Sequence, residues 1–171
     1  LFEAIDAARG RGRALTITTD LDSGSSLVVE DEATEGFRNI YHPRRRLLIV
    51  GAVDIAMALS NIAAQLDCDV TIIDPRARFL TAERFPGAKL DDRWPDEAIA
   101  ALRPDHRTAI VTLSHDIKID DPALIAALAS PAAYVGALGS KASHAARLER
   151  LRLAGVDASQ RARIEGPAGV A

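Results

Sequence analysis

The chain has one cysteine in 171 residues, Cys68, so it holds no internal disulfide, which fits a cytoplasmic protein. Cys68 stands just before an apolar run, where a buried, inert thiol is expected rather than a nucleophile or ligand. Aromatic residues are also scarce, at 4%, so the core must be built from Ala, Leu, Ile and Val, which the 48% hydrophobic content supplies. No apolar run approaches the roughly 20 residues that cross a bilayer. No secretory leader, internal repeat or low-complexity segment is visible. A formal charge of −3 lacks the basic excess that nucleic acid or an anionic membrane would call for. The length suits one domain with a small appendage. A chain that opens at Leu1 is expected to be part of a longer protein.

What is present is concentrated between Arg46 and Arg76. The run Leu47-Leu48-Ile49-Val50 reads as a strand buried on both faces and meets Gly51. Ile55, Leu59, Ile62, Ala63 and Leu66 then recur at helical spacing. A second run, Val70-Thr71-Ile72-Ile73, ends on Asp74, 23 residues after Gly51. Strand, glycine turn, helix, strand and acid are the order of a dinucleotide-binding βαβ unit. The turn, Gly51-Ala52-Val53-Asp54-Ile55-Ala56, departs from GxGxxG. Val53 replaces the glycine that lets backbone approach a pyrophosphate, and Asp54 brings a carboxylate to the helix start, where it is expected to act as the cap.

Further strands are expected at Ala109–Leu113 and Ala133–Val135. Helices are expected from Asp96 to Leu102 with Asp96 as cap, from Asp121-Pro122 onward, and from Lys141 to Leu153 with Ser140 as cap. The alternation predicts an α/β fold, a doubly wound parallel sheet in three α/β/α layers, Rossmann-like, over residues 41–171. Residues 1–40 read as an appendage or the remnant of a preceding domain. They carry a short helix over Phe2–Ala8, strands over Ala14–Thr19 and Leu27–Glu30, and an acidic loop through Glu35.

The polar clusters fall just past strand ends, which in such a sheet share one ligand-binding edge. Asp74 suits a ribose or other hydroxyl pair, and Arg76 suits a phosphate or a ring, or pairing with Asp74. His115-Asp116 could do acid–base work or orient a ligand. With Asp120 and Asp121 nearby, the cluster has the composition of a metal site, although Asp121 is expected to serve as a cap. The loop Gly136-Ala137-Leu138-Gly139-Ser140-Lys141 combines glycines, a helix start and an ammonium group, which favour an anion. A plain strand–helix connection is the other reading of that loop.

The segments RLLIVGAVDIAMAL, VTIIDPRARFLTAERFPGA, WPDEAI, VTLSHDIKIDDPALIAAL, YVGALGSKASHAARLERL and ARIEGPAG resemble, in this order, the C-terminal domain of the XdhC/CoxF family, the xanthine dehydrogenase accessory proteins. The resemblance implies a maturation factor, a chaperone rather than an enzyme. Such a factor binds the molybdenum cofactor as molybdopterin or its nucleotide form and delivers it to a xanthine dehydrogenase-like apoenzyme. Cofactor-biosynthesis enzymes and a second copy are further implied partners. It implies that Gly51, Ala52, Val53, Asp54, Asp74, Arg76, His115, Asp116, Gly136, Gly139, Ser140 and Lys141 border the cofactor. The family's turn commonly carries histidine where this chain has Asp54, and the family's N-terminal cysteine motif is absent. The βαβ unit taken alone leaves two alternatives, an NAD(P)-dependent oxidoreductase and an interaction domain on a vestigial nucleotide fold.

Overall fold

The structure is a computed structural model that describes residues 1–10, 12–29 and 36–169. Two compact units, Leu1–Arg44 and Arg45–Ala171, divide the chain. The first holds helix α1 (Phe2–Gly10) and strands β1 (Leu15–Thr19), β2 (Ser26–Val29) and β3 (Phe37–Tyr41). The strands form an antiparallel sheet in the order β2–β1–β3. Between β1 and β2, Asp20 Oδ1 accepts from the amides of Asp22 and Ser23, the side-chain turn that Asp favours. The sequence reading missed β3, whose Phe37-Arg38-Asn39-Ile40-Tyr41 lacks a clear apolar alternation. Glu30 and the acidic loop through Glu35 lie outside the described residues.

The second unit contains, in order, β4 (Arg46–Val50), α2 (Asp54–Gln65), β5 (Asp69–Ile73), a 3-10 turn (Ala77–Phe79), β6 (Lys89–Asp91) and α3 (Pro95–Leu102). It continues with β7 (Thr108–Thr112), α4 (Ile117–Leu128), β8 (Tyr134–Ala137), α5 (Lys141–Leu153), α6 (Ala158–Arg161) and β9 (Ile164–Glu165). All six strands run parallel in the order β6–β5–β4–β7–β8–β9. This is the doubly wound order, with its reversal at β4. The alternation of β4 explains the layers. Leu48 and Val50 join the core formed with Ile99, Leu124 and Leu151 of α3, α4 and α5. Ile49 joins the opposite core with Ala56 and Ala63 of α2 and with Phe85. Each of the Leu, Ile, Val and Phe side chains contributes about 1.5–3 kcal/mol by leaving water.

Several expected boundaries are corrected. Helix α4 starts at Ile117, not at Asp121. Asp116 is its cap and accepts from the Lys118 amide at 2.9 Å. Pro122 therefore sits in the second turn, and the carbonyl that its ring leaves without a donor belongs to exposed Lys118. Helix α3 is entered through Trp94, with Pro95 at its first position and Asp96 within the first turn. On α2 the buried positions are Ala56, Ser60 and Ala63, whereas Ile62 and Leu66 of the expected stripe are 57% and 72% exposed. Small side chains let this helix lie close to the sheet. The strands β6 and β9 are too short, at three and two residues, to leave a periodic signal.

Candidate functional site at the carboxyl edge of the sheet

Register sets the geometry of this edge. Val50 is paired with Ile73 and Thr112, and Thr112 with Ala137, so four strands end level. Gly51, Asp74, Leu113-Ser114-His115 and Leu138-Gly139 therefore leave the sheet side by side. Gly51 adopts φ +105, and an added Cβ there would meet Ser114 backbone and side-chain atoms at 2.8–2.9 Å. The β4 and β7 turns are thus packed against one another at the strand-order reversal. To either side of this contact lies a recess.

The first recess, about 230 Å³, is bounded by Ala52, Val53, Asp54, Arg76, Phe79 and Arg84. Asp74 builds it from beneath. Its carboxylate is 0% exposed and accepts from the Ala52 amide at 2.8 Å and the Arg76 amide at 2.9 Å. It also takes Arg76 Nε at 2.9 Å and Nη2 at 2.8 Å. Four donors on two oxygens use the acceptor capacity of a carboxylate. Burial by itself would push Asp74 up, but these hydrogen bonds, the Arg76 side chain foremost, outweigh it and hold the carboxyl below the usual range. The group presented to a ligand here is Arg76, whose side chain is 36% exposed. Its guanidinium carbon lies 5.1 Å from the Phe79 ring centre, with those of Arg78 and Arg84 at 4.6 and 6.0 Å.

Asp54 is not the helix cap. Val53 occupies the cap position of α2 without a side-chain hydrogen bond, and the fully exposed Asp54 side chain turns to Arg84 Nη2 at 3.1 Å. In the first turn of α2 the Ala56 amide turns back to the Val53 carbonyl at 3.0 Å, and no side chain caps the amides of Asp54 and Ile55. Arg84 Nη1 donates to the Ala52 carbonyl at 2.8 Å and the Phe79 carbonyl at 2.9 Å, fixing the glycine turn to the loop after β5. Sequence reading missed Arg84, which lies thirty residues from Asp54 in an irregular segment and carries no positional signal.

The second recess, about 300 Å³, lies between α4 and α5 and is lined by His115, Ile117, Asp120, Ser143, Arg147 and Arg150, among others. His115 is exposed and adopts φ 60, a left-handed conformation that is unfavourable for a residue with a Cβ. Asp120 is buried, with Oδ1 accepting from Ser114 Oγ at 2.6 Å and Oδ2 from the His115 amide at 3.1 Å. Burial pushes its carboxyl above the usual value, against the Ser114 hydrogen bond and the charge of Arg147. Asp121 is engaged by Arg150 at 2.7 and 2.9 Å.

The expected site residues divide accordingly. Gly51, Ala52, Val53, Asp54, Asp74 and Arg76 gather around the first recess. His115 reaches the second, whereas Asp116 is occupied as the α4 cap. Gly136 is corrected. It lies inside β8, buried, where an added Cβ would meet the Tyr134 ring at 2.7 Å, and so it is not part of the loop. Ser140 caps α5 by accepting from the Ser143 amide at 3.1 Å, and exposed Lys141 lines neither recess. Gly139 lies against Ser143 and Arg147. The sequence points to Asp120 only as part of a metal cluster and does not single out Arg147. Arg147 carries a faint signal, a charge four residues before Leu151 on the buried face of α5. Among the described residues, no three His, Cys, Asp or Glu side chains converge as metal ligands, so Asp116, Asp120 and Asp121 do not gather into a shared ligand set. A larger cavity, about 540 Å³, opens at the opposite edge among Leu47, Leu59, Ile62, Leu66 and Tyr134. It holds none of the expected site residues.

Fold and edge together define a Rossmann-like domain whose dinucleotide turn is altered at two positions. The chain belongs to the XdhC family: the model described as the XdhC Rossmann domain matches residues 47–171. Among curated proteins, the molybdenum cofactor insertion chaperone PaoD of Escherichia coli is 31% identical over 135 residues, covering 79% of this chain and 36% of that protein. A Bacillus subtilis protein, named a probable xanthine dehydrogenase subunit, is 28% identical over 111 residues, covering 64% and 34%. The chain thus spans about a third of the length of these relatives. A solved Bacillus halodurans protein described as a xanthine dehydrogenase superimposes with a TM-score of 0.78 at 16% identity, covering 99% of this chain and 59% of that one. That likeness speaks for the fold. No helix among the described residues is long and apolar enough to cross a membrane.

Proposed function

We propose that this chain binds the molybdenum cofactor at the carboxyl edge of its sheet, as cargo, and takes part in handing it to a xanthine dehydrogenase-type apoenzyme in the cytoplasm. The observation that carries the reading is the family match over residues 47–171 together with a relative named for molybdenum cofactor insertion. The chemistry of the edge supports it. The cofactor carries phosphate and a flat pterin, and the first recess offers the α2 start, the Arg76 and Arg84 guanidiniums and the Phe79 ring. Ordinary NAD binding is disfavoured by the same site. The Asp74 carboxylate is fully used, which leaves the ribose diol without its acceptor, and Val53 narrows the approach to the turn.

One observation favours a second reading. Arg76, next to Asp74, stands where NADP-dependent proteins place an arginine for the 2′-phosphate. Calorimetric titration with molybdenum cofactor, NAD and NADP separates the readings. The proposal expects saturable binding of molybdenum cofactor that falls roughly tenfold or more in Arg76→Ala, which removes a charged hydrogen-bond donor. Tight NADP binding with no binding of molybdenum cofactor would replace it by the oxidoreductase reading. Binding of an apo-hydroxylase with neither ligand would favour the interaction domain.

A further inference from the structure

Arg147 is a buried cation with no part in the first recess. It lies two turns into α5 and is 4% exposed. Its Nη2 donates to the Leu138 carbonyl at 2.7 Å, and its Nη1 is buried with no hydrogen-bond partner. Buried guanidinium N–H groups are ordinarily satisfied, because leaving one unpaired carries the full cost of its lost hydration. The same side chain lines the α4–α5 recess, whose other wall is formed by the first residues of α4. Gly139 adjoins this side chain: an added Cβ there would stand 3.3 Å from Ser143 Cβ and 3.6 Å from Arg147 Nη2.

We propose that the recess between α4 and α5 binds the phosphate group of a phosphate ester, with Arg147 as its buried charge partner and Ser143 and His115 as further donors. This goes beyond the cargo reading and stands whether or not the cargo is the molybdenum cofactor. Donors from two different walls suit a tetrahedral oxyanion better than a planar carboxylate, which is matched by a single guanidinium fork. Of the two carboxylates nearby, Asp121 is neutralised by its paired contact with Arg150. Asp120 lines the recess with both oxygens already accepting, from the Ser114 hydroxyl and the His115 amide. The site differs from the one expected at Gly139–Lys141. The helix start there is closed by Ser140, and Lys141 is exposed on the outside.

The test is titration of the whole chain with inorganic phosphate and with methyl phosphate, against acetate and chloride at equal ionic strength. Binding is followed by calorimetry and by the arginine Nε–Hε resonances. Saturable binding of both phosphates, weak binding of acetate and a shift of the Arg147 resonance are expected. Arg147→Met should weaken phosphate binding roughly tenfold or more, Ser143→Ala roughly threefold, and Lys141→Ala hardly at all. Acetate binding as tightly as phosphate would overturn the proposal, and so would a folded Arg147→Met variant with undiminished phosphate affinity. Should Arg147→Met fail to fold, Ser143→Ala decides with the wild-type resonance. Weakened binding with a shifted Arg147 signal supports the site, and unchanged binding with a still signal refutes it.

Discussion

The two halves of the carboxyl edge each contain a buried aspartate and an arginine, and they solve the same electrostatic problem differently. On the β4–β5 side, Asp74 and Arg76 are two residues apart and joined through both oxygens, so the carboxylate is saturated and the arginine emerges at the surface. On the β7–β8 side, Asp120 comes from α4 and Arg147 from α5. Asp120 accepts one hydrogen bond on each oxygen, from Ser114 and the His115 amide, while Arg147 bonds a carbonyl and keeps one buried nitrogen unpartnered. The first half is a finished scaffold for the glycine turn. The second has unsatisfied hydrogen-bonding capacity, which is the state a ligand can complete. Satisfaction, rather than the mere presence of charge, distinguishes the two halves: the Asp74 carboxylate is saturated, whereas Arg147 keeps a nitrogen without a partner.

The largest effect expected is at the finished pair. Asp74→Ala removes the acceptor shared by Arg76 and the Ala52 amide and should cost about 3 kcal/mol in urea unfolding. A loss below about 1 kcal/mol would mean the pair is not structural. Gly51→Ala comes next. Its Cβ would press on the Ser114 backbone, which cannot swing aside, from a positive φ, so about 2 kcal/mol is expected by the same measurement. The contact between the β4 and β7 turns would be disproved by a neutral result.

The halves should also titrate in opposite directions from the ordinary aspartate value of 3.8. Asp74 is lowered in the fold, so its contribution to stability is complete above 3.8 and is lost as pH falls through its folded value. Asp120 is raised, so its contribution is present below 3.8 and lost as pH rises through its folded value. Carboxyl carbon NMR titration of the two side chains checks this, and midpoints on the same side of 3.8 would erase the contrast. The smallest effect is at the cap of α5. Ser140 Oγ accepts from the Ser143 amide at 3.1 Å and lies 3.0 Å from the Ser143 hydroxyl. Ser140→Ala should therefore cost about 1 kcal/mol in urea unfolding, and a neutral result would show that the cap does not hold the helix start.

The finished half was legible in sequence because its parts are local or periodic. Apolar runs announced β4 and β5, and the short interval from Asp74 to Arg76 advertised their pairing. The other half depends on contacts that spacing does not encode. Asp120 meets Ser114 only because α4 begins at Ile117, and the Asp121-Pro122 pair pointed to a later start. Arg147 had no signal beyond its place on the helix, and its partner, the Leu138 carbonyl, is brought close by the fold. Gly136 read as loop, since a glycine gives no sign that its missing Cβ makes room for the Tyr134 ring. Arg84 was invisible for the same reason as Arg147: its partners, Ala52 and Phe79, are backbone carbonyls brought close by the fold.

The most direct test of cargo binding at this edge is to map where molybdenum cofactor touches the chain, by amide chemical-shift perturbation on titration. Saturable shifts are predicted along the strand-end turns, at Ala52 to Ile55, Arg76 to Phe79 and Ser114 to His115, with the Leu59, Ile62 and Tyr134 cavity undisturbed. Shifts confined to that cavity, or none at saturating cofactor, would contradict it.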